Sequence, residues 1–487
     1  MKKLFVSLLL PAALCCGAPA AATAQDIPDD GKTPELNKAR LPPPYTAEEK
    51  LYALSRFWME ARRNFVYMDQ MGTARWDSLY RSYIQPVLES RDDNEFLHLL
   101  CRFCAALKDG HTYLNIQSYR YEPFSTLNYF SGGWGLNTFV AGRHVYVSGV
   151  ARAKRKIVPP GSELVAIDGR DVQDCIAEEM KETFASTDEV RYAVAASMLL
   201  HGERYTSRVA TFRRPDGSTV DVALRNEYVN GYGEMEWDRL PGVPCNWQRA
   251  EFALEWLRGD VAYLKIGTFQ GNGVLEKFYA ALPEVKQRAR KVIIDLRNNG
   301  GGSSGTSTRI MSHFLAGDTF CDQEWSTRTY NAAYAAWGAD VQPADTVGNP
   351  TLRAYYQNYH DQATTEPKAS WKTYPADRMR LVVPTAILIN RNTASACENL
   401  LVMADGQPNI TIIGQPSNGS TGQPIIVQLL PDLQGYICTK KDTYPGGRVF
   451  VGKGIEPDIY VPLTLEDLTE KEDRVLKTAV EFLRKAR

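Results

Sequence analysis

Val292-Ile293-Ile294-Asp295-Leu296-Arg297-Asn298-Asn299-Gly300-Gly301-Gly302 decides the fold class. The mostly apolar run from Val292 to Leu296 has the pattern of a strand buried on both faces. A polar, glycine-rich loop follows, and helical spacing resumes through Ile310. Outward from this unit the alternation repeats. Val261 to Phe269 reads as a strand, Leu275 to Arg288 as a helix, Ala386 to Ile389 as a strand, Ala396 to Met403 as a helix and Ile410 to Ile413 as a strand. Such alternation implies a layered α/β core over about residues 250 to 470, with a terminal helix over 471 to 487. Phe320 to Pro375 interrupts it with a long, poorly periodic stretch rich in Tyr, Trp and Ala, the size of a lid or a substrate-contacting surface.

Upstream the patterning differs. Thr46-Ala47-Glu48-Glu49 is a capping box, followed by Leu51, Leu54, Trp58, Ala61 and Phe65 on one helical face. Further helices fit Trp76 to Gln85, stopping before Pro86, and Glu95 to Leu107, giving a helical bundle over 46 to 114. From about 121 to 228 the period shifts toward two, with turns at Pro159-Pro160-Gly161 and Asp168-Gly169-Arg170. Cys175 to Thr183 looks helical, and Pro215-Asp216-Gly217 joins two strands as a hairpin. The expected architecture is therefore multidomain α/β.

Composition narrows the function classes. The chain has 487 residues, 56 Lys and Arg against 57 Asp and Glu, and 44% apolar residues. That apolar share suffices for packed cores, and the near-neutral charge argues against nucleic acid as a partner. Lys2 and Lys3, the apolar stretch to Ala21 and the Ala22-Thr23-Ala24 site read as a secretory signal peptide over 1 to 24, followed by a Pro-rich linker to 45. The expectation is an exported protein, periplasmic or extracellular, without an integral span after cleavage; Cys15 and Cys16 raise lipid tethering as an alternative. Cys101, Cys104, Cys175, Cys245, Cys321, Cys397 and Cys438 remain, an odd and irregular set that is no disulfide framework. Cys101 and Cys104 lie in an apolar helical run and read as core.

Three elements carry chemistry. Ser395-Ala396-Cys397-Glu398 opens a helix after a strand and a polar turn. A hydroxyl there stands beside free N–H groups, and an oxyanion formed next to Ser395 would find the N–H of Ala396. The same S-x-x-E spacing also serves as a plain helix cap. The Gly300-Gly301-Gly302 loop allows close backbone approach to a ligand, or is simply a tight turn; no Gly-Lys-Ser/Thr follows to make it a phosphate loop. A nucleophilic serine needs a base. Of the six histidines, His111 alone follows a polar turn at an element boundary, while His98, His144, His201, His313 and His360 fall in helix-like, strand-like or aperiodic runs.

Together these elements resemble the C-terminal-processing (tail-specific) serine peptidase family, in its tricorn-core-like and retinoid-binding-protein-like branch. Asp295 to Gly302 matches D-x-R-x-N-x-G-G, Ser395 to Glu398 matches S-A-x-E, Gly452 to Ile459 matches G-x-G-x-x-P-D-I, and Asp109 to Thr112 matches D-x-H-[ST]. Gly135 to Val172 resembles a PDZ domain, with Gly133, Gly135 and Leu136 near its carboxylate loop. The resemblance implies a helical bundle, a PDZ-like β module and a ClpP/crotonase-like αβ core. It implies Ser395 as nucleophile, His111 as base, and Gly300 or Gly301 with Ala396 as oxyanion donors. It implies peptide or unfolded protein as substrate, and no metal or organic cofactor.

Ser420, Gly110 and Val451 depart from the patterns of these branches. Members that use a Ser–Lys dyad carry lysine where Ser420 stands, and no lysine occurs between Ser395 and Lys440. The tricorn-like members carry Ser where Gly110 stands and Glu where Val451 stands. Asp109, Glu398 and Ser420 are thus the candidates for orienting His111. A binding protein that uses the PDZ-like module, with a weak or silent core, is the rival expectation. An esterase-like hydrolase ranks below both, since no G-x-S-x-G surrounds Ser395.

Overall fold

The quoted apolar run forms the strand Lys291–Asp295 at the centre of a six-stranded sheet. The computed structural model describes residues 43–116, 135–201, 206–225, 236–242, 251–257, 259–369, 371–373 and 379–486. The leader, most of the linker, Gly133 and Cys245 lie outside the described residues. In spatial order the sheet runs Ile459–Tyr460, Ile410–Gly414, Thr385–Ile389, Lys291–Asp295, Val261–Ile266, Phe252–Leu257, parallel except for the last pair. Successive residues of the central strands Lys291–Asp295 and Thr385–Ile389 are buried on opposite faces. Val292, Ile294, Ile387 and Ile412 join the large core with the helices Gly273–Arg288, Ser304–Met311 and Ala396–Ala404. Ile293, Ala386, Leu388 and Ile413 pack with Ala479 and Leu483 of the C-terminal helix Arg474–Lys485. Unbroken apolar strands are what such a two-sided burial demands.

The Asp and Arg of the D-x-R motif hold this layering together. Buried Asp295 accepts from Arg297 Nε at 3.0 Å and Nη2 at 2.7 Å, and from Tyr263 Oη at 2.6 Å. Arg297 reaches on to Asp473 with Nη1 at 2.7 Å and Nη2 at 2.8 Å, at the start of the C-terminal helix. These residues act on the scaffold and clamp that helix to the strand ends.

At the N-terminus Thr46 caps the helix Ala47–Asn64 reciprocally with Glu49. The helices Thr73–Leu88 and Asp93–Ala105 complete the bundle. The second runs past Pro86, where the sequence predicts a stop. Pro86 sits in the last turn, so only one ladder bond is forfeited, and fully buried Val87 draws the chain on. Phe103 stacks on Trp76 with centroids 4.2 Å apart. Cys101 and Cys104 are buried in the same core, and no disulfide joins the described cysteines.

Immediately after His111, the strand Tyr113–Ile116 pairs antiparallel with Leu433–Cys438, Tyr113 opposite Tyr436. Their rings stack at 4.5 Å. Behind this pairing Phe57 abuts Gly435, where a Cβ would lie 2.9 Å from the ring. The bundle is thereby seated on the C-terminal half.

The β module has its own core and a sheet in the path order Asn137–Ala141, His144–Ala151, Glu163–Ile167, Ser207–Arg213, Thr219–Arg225. The last two strands form the predicted hairpin, with Gly217 at φ +85° in the turn. The helices Val172–Glu179 and Asp188–Met198 pack on it. The stretch from 320 to 375 is more regular than its sequence suggests. It contains the helices Ala332–Trp337 and Pro350–Tyr359, and its strand Glu324–Thr327 pairs with Lys440–Thr443. Its far end meets the bundle, with Arg62 Nη1 2.5 Å from Asp361. Among the described residues no helix is long and apolar enough to cross a membrane.

Arg297→Ala strands buried Asp295 and releases Asp473. It should cost about 3–5 kcal/mol, read as a lowered urea midpoint, with the C-terminal helix exchanging its amides first.

Candidate functional site

Ser395 stands at the junction of the strand Thr385–Ile389 and the helix Ala396–Ala404. The turn between them is knitted to the glycine-rich loop. Asn390 and Asn298 exchange bonds of 3.0 Å, Asn392 Nδ2 donates to Asn298 Oδ1 at 2.8 Å, and Thr393 Oγ1 donates to the Leu296 carbonyl at 3.0 Å. Ser395 itself has φ +56°, a left-handed value rare for a residue with a Cβ. This sharp turn presents the hydroxyl outward from the strand end. The Glu398 N–H donates to the Ser395 carbonyl at 2.7 Å, so it does not hold the side chain. The Ser395 hydroxyl faces His111, with Oγ 3.3 Å from Nε2.

His111 is 2% exposed. Its Nδ1 lies 2.7 Å from Ser420 Oγ. Of the three orienting candidates, Ser420 is thus the one that touches the ring. Asp109 holds the turn instead, accepting from Thr112 Oγ1 at 2.7 Å and Ser186 Oγ at 3.2 Å. Glu398 is fully buried and braces the loop that carries Ser420. Its Oε1 accepts from Ser417 Oγ at 2.6 Å and Gly419 N at 2.7 Å; its Oε2 accepts from Ser420 N at 2.9 Å and Ser395 N at 3.2 Å. Ser417 in turn accepts from Ile455 N at 2.7 Å and so ties in the G-x-G-x-x-P-D-I segment. Val451, where the family pattern has Glu, is a buried apolar side chain.

Gly110, where the pattern has Ser, is explained by its neighbour. A Cβ there would lie 2.7 Å from Ser420 Oγ, so glycine makes room for the hydroxyl on the ring. Gly301 presses against the turn that carries Ser395, where a Cβ would meet Ser395 Cβ at 2.7 Å. Its N–H is already given to Asn299 Oδ1 at 2.9 Å. The N–H groups of Gly300 and Ala396 have no hydrogen-bond partner among the described residues. Gly135 and Leu136 precede the first strand of the β module, and Leu136 is buried in its core.

Burial sets the charge state. It lowers the His111 imidazole to about 4, with the Lys440 ammonium adding in the same direction. It raises Glu398 to about 7 against the four hydrogen bonds it accepts, and Asp109 to about 6. The arrangement is a hydroxyl beside a neutral, hydrogen-bonded imidazole at a helix N-terminus, the parts of an activated nucleophile. Ser186 and Ser417 escape sequence reasoning because each acts through a loop contact, and Lys440 because it acts through its charge from a strand distant in sequence.

Residues 260–461 match the model of Peptidase family S41. No curated protein matches the chain by sequence. Mature CPAF complexed with lactacystin is similar in structure, with TM-score 0.63 and 16% identity, covering 90% of this chain and 97% of that one. A mutant of CPAF gives TM-score 0.66 at 15% identity, over 91% and 98%. The photosystem II D1 C-terminal processing protease has 19% identity over 88% of this chain and 99% of its own, with TM-score 0.44. The likeness to the two CPAF structures speaks to the fold.

In an NMR titration the His111 ring should remain neutral well below pH 6.5, gaining its proton near pH 4. Lys440→Met should move that midpoint upward, since it removes a neighbouring positive charge.

Proposed function

We propose that this serine peptidase, whose residues 260–461 belong to peptidase family S41, cleaves unfolded peptides or protein tails in an exported compartment, with Ser395 as nucleophile and His111 as base. The observation that carries the reading is the 3.3 Å approach of His111 Nε2 to Ser395 Oγ, within reach of the looser geometry expected without substrate.

The steps follow from the geometry. For Nε2 to accept, the imidazole proton must sit on Nδ1, where Ser420 Oγ at 2.7 Å is placed to accept it. As Ser395 Oγ attacks the peptide carbonyl, its proton passes to Nε2. The carbonyl oxygen becomes an oxyanion, and the Gly300 and Ala396 N–H groups are the available donors; one such donor is worth roughly 2.7–4 kcal/mol. His111 then returns the proton to the departing amine, leaving an acyl-enzyme. Water, deprotonated by the same nitrogen, hydrolyses it.

A hydroxyl in place of a carboxylate behind the ring leaves the imidazolium uncompensated, and burial and Lys440 disfavour it further. Slow turnover is therefore expected, which is also the point on which the binding-protein alternative rests. In the β module, the edge strand Asn137–Ala141 and the helix Asp188–Met198 flank a place where a peptide can add as a strand, its terminal carboxylate toward the Gly135–Leu136 backbone.

Ser395→Ala should abolish cleavage of an unfolded protein and labelling by a fluorophosphonate. Persistent cleavage overturns the assignment, and an unlabelled wild-type protein that still binds peptide favours the binding module. Ser420→Ala should lower kcat about tenfold or more with KM little changed. The acid limb of kcat/KM should fall near pH 4, because the base is lost only as the ring protonates.

A further inference from the structure

The β module is not a separate attachment beside the site. Its segment between the helices Val172–Glu179 and Asp188–Met198 touches two of the loops that carry the reacting groups. Ser186 Oγ accepts from Gly110 N at 2.9 Å and donates to Asp109 Oδ1 at 3.2 Å, so it bridges the two residues before His111. Thr187 Oγ1 donates to the Asn418 carbonyl at 3.3 Å, two residues before Ser420. A Cβ at Gly419 would lie 2.7 Å from Thr187 Cγ2, so the loop and the segment are in van der Waals contact. A third contact reaches the nucleophile turn, where Arg391 Nη2 donates to the Val140 carbonyl at 2.9 Å and Nη1 lies 3.5 Å from Glu189.

We infer that Ser186 is a positioning residue for the imidazole, through which the seating of the β module on the core governs turnover. The proposal rests on the peptidase reading above. Asp109 is buried and its carboxylate takes Thr112 Oγ1 on one oxygen and Ser186 on the other. Without the Ser186 hydroxyl, Gly110 N loses its acceptor and Asp109 Oδ1 loses a donor. The turn then keeps only the bonds that Asp109 takes from Thr112 Oγ1 and from the backbone of Gly110 and His111, and Gly110 has no side chain to restrain it further. His111 must meet two partners at once, Ser395 and Ser420, so a shift of under an ångström in the turn breaks one of them. Misplacement on that scale is enough to cost one to two decades in rate. No part of Ser186 need touch substrate for this.

The test compares Ser186→Ala and Ser186→Thr with wild type on p-nitrophenyl acetate, which is too small to reach the β module, and on a long unfolded peptide. Ser186→Ala should lower kcat by about tenfold to a hundredfold on both substrates with KM little changed. Ser186→Thr, which keeps the hydroxyl, should restore most of it. A kcat within twofold of wild type in Ser186→Ala overturns the proposal, and so does a loss confined to KM for the long peptide, which marks a substrate contact. A readout free of turnover separates this from failure of the peptidase reading. The His111 Nδ1–H proton should exchange with water faster in Ser186→Ala than in wild type. Unchanged exchange overturns the proposal even if the wild-type protein cleaves neither substrate.

Discussion

The antiparallel pairing of Tyr113–Ile116 with Leu433–Cys438 is the constraint on which the site depends. His111 and Ser395 are 284 residues apart in the chain, and no local motif can bring them together. The short strand after the histidine fixes its direction by hydrogen bonds, and the stacked rings of Tyr113 and Tyr436 fix its register. Thr112 adds a lock at the first residue of the crossing, since Cys438 N donates to its Oγ1 at 3.0 Å. A slip of one residue would turn the imidazole away from the hydroxyl. The bundle's aromatic core therefore serves the site indirectly. By burying Phe57 against Gly435 it holds the strand Leu433–Cys438 in the place where the pairing can form.

Around the ring, hydrogen bonds do the work that charges do elsewhere. Asp109 and Glu398 are buried carboxylates, and each is surrounded by donors from more than one segment. Burial alone opposes their ionisation, and the donors oppose burial. Neither carboxylate touches the imidazole, so each acts by fixing a loop. One fixes the loop before the histidine, and the other fixes the loop that carries Ser420. A network of this kind favours a single geometry over a strong base. It accounts for an imidazole that is well placed, while burial, with the Lys440 ammonium adding to it, makes that imidazole weakly basic.

The layered core was legible because its strands are buried on both faces and write themselves as unbroken apolar runs, as at Val292 to Ile294. The capping box at Thr46 was equally plain. Pro86 misled as a stop, since a proline in a final turn costs little when the next residue is buried. The stretch after Phe320 hid two helices because Tyr, Trp and Ala there pack on one another and leave no apolar face of regular period; Tyr334, Trp337 and Tyr355 form such a cluster. Ser395 and His111 were found through motif resemblance. The choice among Asp109, Glu398 and Ser420 lay beyond sequence reasoning, because it depends on which loop faces Nδ1.

The S-x-x-E spacing at Ser395 first admits two meanings, a helix cap or a nucleophile. The local geometry is compatible with both in one segment. In an ordinary capping box the serine hydroxyl takes the N3 amide and is spent. Here the Glu398 amide goes to the Ser395 carbonyl, and the carboxylate still returns to the Ser395 N–H. The positive φ of Ser395 is what permits this, because it swings the hydroxyl off the helix axis and toward His111. The conformational cost of that backbone, of order 1–3 kcal/mol, is offset by the bonds that Glu398 and the Ser420 carbonyl make to the same amide. Half of the cap is kept for stability, and the half with the hydroxyl is left available for chemistry.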